Sequence, residues 1–256
     1  MLGGLGNQLF IYAFGRSLQL LYDQKVFFDI HSGFIRDPYK RIFKLDKFNT
    51  AIKPVSIFDS MFYPLNKHFR ALASLVYPES IYINEDDNFS IDNLNSLRGL
   101  SKKIFLEGYF QKESYFAKIR TQLLKEITLR ESPSNRINYY LEQVQQNNSV
   151  AVHIRGKERI NVKSIQFYKD SISQLNDKLN IPKYFIFTDD MVWVKSWLQI
   201  QDNIIFVSDT LDDIEDFWIM RQCNHFVISD STFAFWAAWC CTKEANVVIT
   251  QQNINN

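Results

Sequence analysis

The sequence predicts an α/β protein whose second half is a parallel sheet covered by helices on both faces. Three observations lead there. Beyond residue 148, five short β-branched or aromatic runs alternate with helical stretches. Hydrophobic residues make up 46% of a 256-residue chain, enough to fill the core of one large domain or two small ones. Of the eight glycines, three fall in the first six residues and none follows Gly156. The second half therefore lacks both a Walker loop and a glycine-rich dinucleotide fingerprint, so any phosphate there must be held by side chains and helix N-termini.

In the second half the strand-like runs are 149–155 (SVAVHIR), 183–188 (KYFIFT), 203–207 (NIIFV), 226–229 and 246–249. Helical periodicity covers 166–179, a stretch opened by Asp189 and Asp190 and running to 198, then 213–223 and 231–241. The first half is less regular. Residues 7–21 have an apolar face at helical spacing, 25–30 (KVFFDI) and 103–110 (KIFLEGYF) read as strands, and 112–129 and 136–146 read as helices. The aromatic-rich region between residues 30 and 103 shows no clear period. A polar stretch at 145–149 (QQNNS) marks the hinge, giving domains 1–146 and 147–256.

Composition excludes several classes. The net charge is +1, too balanced for a nucleic-acid face, and Lys40-Arg41 and Lys102-Lys103 read as solvated surface. Polar and charged residues interrupt the first apolar stretch early, so no signal peptide is expected. No run approaches the roughly 18 apolar residues of a membrane span, and the longest, 233–241, reads as a buried helix. Cys223, Cys240 and Cys241 form neither a disulfide framework nor a zinc site and suit a reducing cytosol, as small buried hydrophobes.

Three strand ends carry chemistry. His153 and Arg155 lie two apart, on one face, at the end of the 149–155 run, where open α/β sheets bind ligands. Arg155 offers a planar fork for a diphosphate, or pairs with a core carboxylate. His153 is read as a buried hydrogen-bonded histidine before a catalyst. Of Asp189 and Asp190, one caps the next helix and the other is free for a base or ribose; adjacent carboxylates diverge, so no metal site is expected. Ser231 and Thr232 open the helix after the fourth strand and either cap it or, with its free N–H groups, hold a phosphate; Phe233 either packs or stacks on a base. Trp236 and Trp239 read as core. At the N-terminus, Gly3-Gly4-Leu5-Gly6-Asn7-Gln8 precedes a helix, with Asn7 as a cap or a sugar ligand.

These residues resemble a known family. Residues 3–10 (GGLGNQLF) with Tyr12-Ala13 and Gly15-Arg16, the segment 108–111 (GYFQ) with Tyr115-Phe116, 152–155 (VHIR), 187–190 (FTDD) with Trp193, and 231–239 (STFAFWAAW) follow, in order, the motifs of the bacterial α-1,2-fucosyltransferases. The resemblance implies a GT-B architecture of two Rossmann-like halves with parallel sheets. The C-terminal half binds the GDP-sugar and the N-terminal half faces the acceptor. It implies an inverting, metal-independent transfer of L-fucose from GDP-β-L-fucose to a galactoside 2-hydroxyl, with no cofactor. The acceptor would be an oligosaccharide or lipid-linked glycan of surface-polysaccharide synthesis, placing the enzyme in the cytoplasm or at the inner face of the membrane. It assigns Arg155 to the donor diphosphate, His153, Asp189, Asp190, Ser231, Thr232 and Phe233 to the donor site, and Gly6, Asn7 and Gln8 to the crevice. The chain departs from the H-x-R-R-G-D motif: Gly156 stands in place of the second Arg, Lys157 in place of Gly, and Glu158 in place of Asp. Glu158 is read either as catalytic base or as a partner orienting Arg155 or Lys157. Only Met1 and Leu2 precede the glycine turn, so the first strand of the N-terminal sheet is expected to be short or absent. A non-catalytic nucleotide-sugar or glycan-binding relative, and a transferase for another GDP-sugar, are the competing readings.

Overall fold

The computed structural model describes residues 1–35, 37–62, 81–85, 89–91, 103–145, 148–156, 162–199, 201–207, 212–243 and 247–250. The chain divides into two compact units, Met1–Arg130 and Glu131–Asn256.

The first unit is built on helix α1 (Leu5–Tyr22), which buries Leu9, Tyr12, Ala13, Phe14 and Leu18 and stops at Asp23 in the left-handed region. Helix α2 is Ile57–Phe62. Strands β1 (Ile81–Asn84) and β2 (Ile104–Glu107) pair in parallel, with Ile81 opposite Ile104 and the Tyr82 and Phe105 rings stacked 4.8 Å apart. Helix α3 is Arg120–Glu126.

Two expectations change here. The 25–30 run is no strand: Phe28 makes a single parallel bridge with Pro54. The ladder ends because the next residue, Asp29, turns the chain, accepting the backbone N–H groups of His31 and Ser32 at 3.0 Å. The expected helix over 112–129 is two 3-10 turns, Glu113–Tyr115 and Ala117–Ile119, followed by α3. The break falls at Phe116, which is fully buried edge-on to Phe10 at 5.8 Å.

A buried polar knot ties α1 to α3. Arg16 binds the Glu126 carboxylate through Nε at 2.9 Å and Nη2 at 2.8 Å. Tyr12 donates to Glu126 at 2.5 Å, Gln122 donates at 2.6 Å, and the Tyr12 hydroxyl accepts from the Ala51 N–H at 2.9 Å. The carboxylate is nearly covered, so it would cost free energy were it not fully hydrogen-bonded.

In the second unit, helix α4 (Asn135–Gln145) precedes strand β3 (Asn148–Ile154). There follow α5 (Val162–Lys178), β4 (Pro182–Thr188), α6 (Met191–Trp197), β5 (Ile204–Phe206), α7 (Asp213–Met220), β6 (His225–Ile228), α8 (Thr232–Trp239) and β7 (Val248–Thr250). The five strands form one parallel sheet in the order β5-β4-β3-β6-β7. Helix α4 packs on β3 and α7, which is why the compact units meet at 130/131 and not at the polar stretch after 145.

The strand periodicity sorts the helices. Val150, Val152, Ile154, Tyr184, Ile186 and Val227 face Phe167, Tyr168 and Leu175 of α5 and Val194 of α6. The intervening residues, Ala151, His153, Phe185, Phe187 and Phe226, lie on the opposite face, which α4, α7 and α8 cover. Trp236 is fully buried with Trp239 edge-on at 5.0 Å, and the three cysteines are buried thiols outside any disulfide. Among the described residues no helix is long and apolar enough to cross a membrane.

The knot in the first unit gives a stability prediction. Burial pushes the Glu126 carboxyl up, but the bonds from Arg16, Tyr12 and Gln122 outweigh it and hold it below its ordinary value. Its contribution is therefore complete above the ordinary carboxylate range and is lost as pH falls through the lowered folded value. Glu126→Gln should cost about 3 kcal/mol at pH 7 by leaving Arg16 unpaired. The gap between variant and wild type in thermal unfolding should narrow at acid pH.

Candidate active site

The site of the second unit follows from the strand order. β3 and β6 are neighbours, but the chain leaves β3 for α5 on one face and β6 for α8 on the other. Their C-terminal ends therefore part, and the gap is where open parallel sheets hold ligands.

Arg155 stands at one lip, one residue past β3, and Ser231 at the other. The Arg155 Nη2 donates to Ser231 Oγ at 3.0 Å. Ser231 is also the N-cap of α8, its hydroxyl accepting the Ala234 N–H at 3.4 Å. A guanidinium, a capping hydroxyl and the open N-terminus of an eight-residue helix thus converge, each favouring negative charge. Thr232, half-buried, begins the helix. The Phe233 ring lies between those of His153 at 5.6 Å and Phe217 at 5.9 Å.

His153 shares the α8 face with Arg155, as the spacing of two requires. Its Nδ1 is buried and, among the described residues, has no hydrogen-bond partner. Burial, reinforced by the Arg155 charge, lowers the imidazole pKa to about 3, so it is neutral at physiological pH and too weak to serve as a base.

The end of β4 completes the site. Asp190 caps α6, accepting the Trp193 N–H at 3.1 Å, while Asp189 is exposed. Gly156 passes close beneath both: a Cβ there would stand 3.0 Å from Asp189 Oδ1 and 3.1 Å from Asp190 Cβ. A side chain at 156 would thus crowd Asp189 and Asp190 and require both to give slightly. Glu158 and Lys157 lie outside the described residues.

Tyr168 was not singled out from the sequence. Fully buried on α5, it donates its hydroxyl to the His153 carbonyl at 3.0 Å, and it lies within electrostatic reach of Arg155 and Asp189. Burial pushes its pKa up to about 12, against smaller lowering effects of Ser229 and Arg155. The signal available for it was positional: in a strand-helix-strand crossover the first turns of the helix pass over the end of the preceding strand. Asp216 on α7 was also missed; burial, with Asp213, Asp212 and Glu215 adding to it, raises its pKa to about 7.

The glycine turn belongs to the first unit and is described by itself. Gly3 adopts φ +77° and Gly4 is the N-cap of α1, so Asn7 does not cap the helix. The Asn7 Oδ1 instead accepts from Gln111 Nε2 at 3.1 Å on the surface. Gly6 is buried. The Gln8 side chain is fully buried; its amide donates to the carbonyls of Gly3 (3.0 Å) and Ile42 (2.9 Å) and accepts the Lys44 N–H (2.9 Å). Gln8 thus clamps the 42–44 loop to the turn, and of the three crevice residues only Asn7 offers a side chain at the surface.

The segment at 108–111 leaves β2 through a bend at Gly108. A Cβ on Gly108 would lie 2.4 Å from Glu85 Cβ, and the Phe110 N–H donates to Glu85 Oε2 at 2.5 Å. Phe110 takes φ +53°, an unfavourable region for a bulky residue that costs about 1–3 kcal/mol. Burying its ring returns about 1.5–3 kcal/mol. Stacking on Phe14 at 4.0 Å and 12° adds about 0.5–1.5 kcal/mol, so packing offsets the strain.

The neutral histidine makes a prediction. Between the ordinary value near 6.5 and about 3, the unfolded state binds a proton that the folded state does not, so His153 destabilises the fold as pH falls through that window. His153→Phe should remove the penalty. In denaturant titrations the variant should gain on the wild type on going from pH 7.5 to pH 5; an unchanged difference would show that His153 titrates normally.

The family model described as glycosyl transferase family 11 matches residues 1–256. The chain is 28% identical to an α-1,2-colitosyltransferase of Escherichia coli, over 96% of this chain and 88% of that protein. It is 25% identical to the O-antigen biosynthesis glycosyltransferase WbnK of Escherichia coli, over 97% and 91%. Among solved structures, the NodZ α-1,6-fucosyltransferase soaked with GDP-fucose matches with a TM-score of 0.57 at 15% identity, covering 94% of this chain and 90% of that one. That likeness shows the fold, GT-B with two Rossmann-like α/β units. The matched family covers the whole sequence: this chain belongs to glycosyl transferase family 11 and is a glycosyltransferase.

Proposed function

We propose that the chain is an inverting fucosyltransferase that moves L-fucose from GDP-β-L-fucose to the 2-hydroxyl of a galactoside during synthesis of bacterial surface polysaccharide. The observation that carries the reading is the 3.0 Å bond between Arg155 and Ser231 across the β3/β6 crevice. It leaves a preorganised positive fork beside a helix N-terminus. As the glycosidic bond breaks, negative charge grows on the departing diphosphate, and donors already aimed at that charge need no reorganisation. In this reading the second unit holds the donor, and the first presents the acceptor, an oligosaccharide or lipid-linked glycan at the inner face of the membrane. Asp189, exposed at the end of β4, is the candidate for the nucleoside, and Thr232 joins Ser231 at the phosphates. With His153 held neutral, the base is sought elsewhere, and Glu158 is the carboxylate nearest Arg155 in sequence.

One observation favours a second donor. A relative named for colitose transfer aligns with 96% of this chain, so another GDP-sugar is the alternative to GDP-fucose. Measuring GDP release from each donor with a panel of galactosides decides between them. Release with GDP-fucose supports the first reading; release with the other donor alone replaces it.

Within this reading, Arg155→Lys keeps the charge and loses the fork, and should lower kcat/KM by about tenfold or more. Near-normal turnover in Arg155→Ala would contradict the assignment. Among the described residues no group of three or more His, Cys, Asp or Glu is arranged to hold a metal ion. The charge balance is assigned to Arg155 and α8, so activity should survive EDTA; activity abolished by EDTA and restored by manganese or magnesium would refute it. Glu158→Gln with intact donor binding and lost turnover would identify the base, whereas parallel losses would indicate a structural role.

A further inference from the structure

We propose that Tyr109, Gln111 and Asn7 form a subsite for a pyranose ring of the acceptor glycan. The inference rests on the reading of the chain as a transferase to a galactoside and places part of its acceptor recognition on the 108–111 segment. The segment is held from three sides. Glu85 grips the Phe110 N–H, Gly108 lies against Glu85, and the Phe110 ring is driven into the core between Phe14 and Phe89. Phe110 is 2% exposed in a left-handed conformation. Strain of this kind persists only where the surroundings enforce it, and it gathers at binding sites. Because Phe110 points inward, its neighbours are left at the surface: Tyr109 is 39% exposed and Gln111 is exposed.

Gln111 reaches the first turn of α1, donating to Asn7 at 3.1 Å. Two primary amides in contact supply both donors and acceptors, the set that adjacent sugar hydroxyls require. Tyr109, exposed two residues before Gln111 in the chain, adds a flat apolar face for the C–H side of a pyranose and a hydroxyl for its rim. The buried Gln8, next to Asn7, is tied to three backbone groups, so the platform is built in advance of the ligand.

The test uses Tyr109→Ala and Gln111→Ala, with Tyr109→Trp as the variant that keeps a stacking face. Each alanine variant should raise the acceptor KM by about tenfold, equivalent to about 1.4 kcal/mol. The donor KM and GDP binding should stay unchanged, and Tyr109→Trp should retain most of the acceptor affinity. Acceptor KM values within twofold of wild type, or equal rises in donor and acceptor KM, would overturn the subsite. Saturation-transfer NMR with a methyl galactoside and no donor separates this from the reading beneath it. Transfer that is lost in Tyr109→Ala supports the subsite even if GDP-fucose proves to be the wrong donor. Transfer that persists in both alanine variants overturns it even if GDP-fucose is turned over.

Discussion

A guanidinium and a hydroxyl, 3.0 Å apart, join the ends of two strands separated by more than seventy residues of chain. The contact depends on strand order: β3 and β6 lie side by side only because the sheet runs β5-β4-β3-β6-β7. It also depends on Ser231 being fixed, which capping Ala234 ensures. Other contacts hold the end of β3 from the remaining sides. Tyr168 grips the His153 carbonyl, and Gly156 lets the backbone pass under Asp189 and Asp190. The electrostatics agree with the geometry. His153, kept neutral by burial and by Arg155, adds no second charge, so among the described residues Arg155 and the start of α8 set the positive potential at the crevice.

The first unit solves a different problem. Its short elements are set by side chains that bind backbone. Gln8 anchors the loop at Ile42 and Lys44, Asp29 turns the chain at His31, and Glu85 fixes Phe110. Such side chains rigidify a surface without long strands or helices, at the cost of making each contact matter. Helices α1 and α3 are bound by Arg16 and Glu126, so the turn that opens α1 rests on a firm base.

This difference explains what was legible in the sequence. The strands of the second unit arise from runs of four to seven residues separated by helical periods, and covering such a sheet on both faces leaves little choice of architecture. Arg155 and Ser231 could be placed at strand ends from the sequence, but their contact could not, since it arises from strand order. Tyr168 was hidden because mid-helix aromatic residues usually mean core, and its ring is core while its hydroxyl is not. In the first unit the KVFFDI run has strand composition, yet Asp29 breaks it, and a break made by one carboxylate leaves no periodic trace. The residues at 108–111 stood out by resemblance alone; that Phe110 turns inward and leaves Tyr109 and Gln111 outside depends on Glu85, which is distant in sequence.

In the proposed function, Arg155 and the N-terminus of α8 form a cradle for a diphosphate. Calorimetry of guanosine, GMP and GDP binding to wild type and Arg155→Ala tests it without any acceptor. The wild type should prefer GDP to GMP by tenfold or more. In Arg155→Ala that preference should collapse, while the weak affinity for guanosine is unchanged. A variant that keeps the full GDP preference, or loses guanosine and GDP affinity in equal proportion, would contradict it.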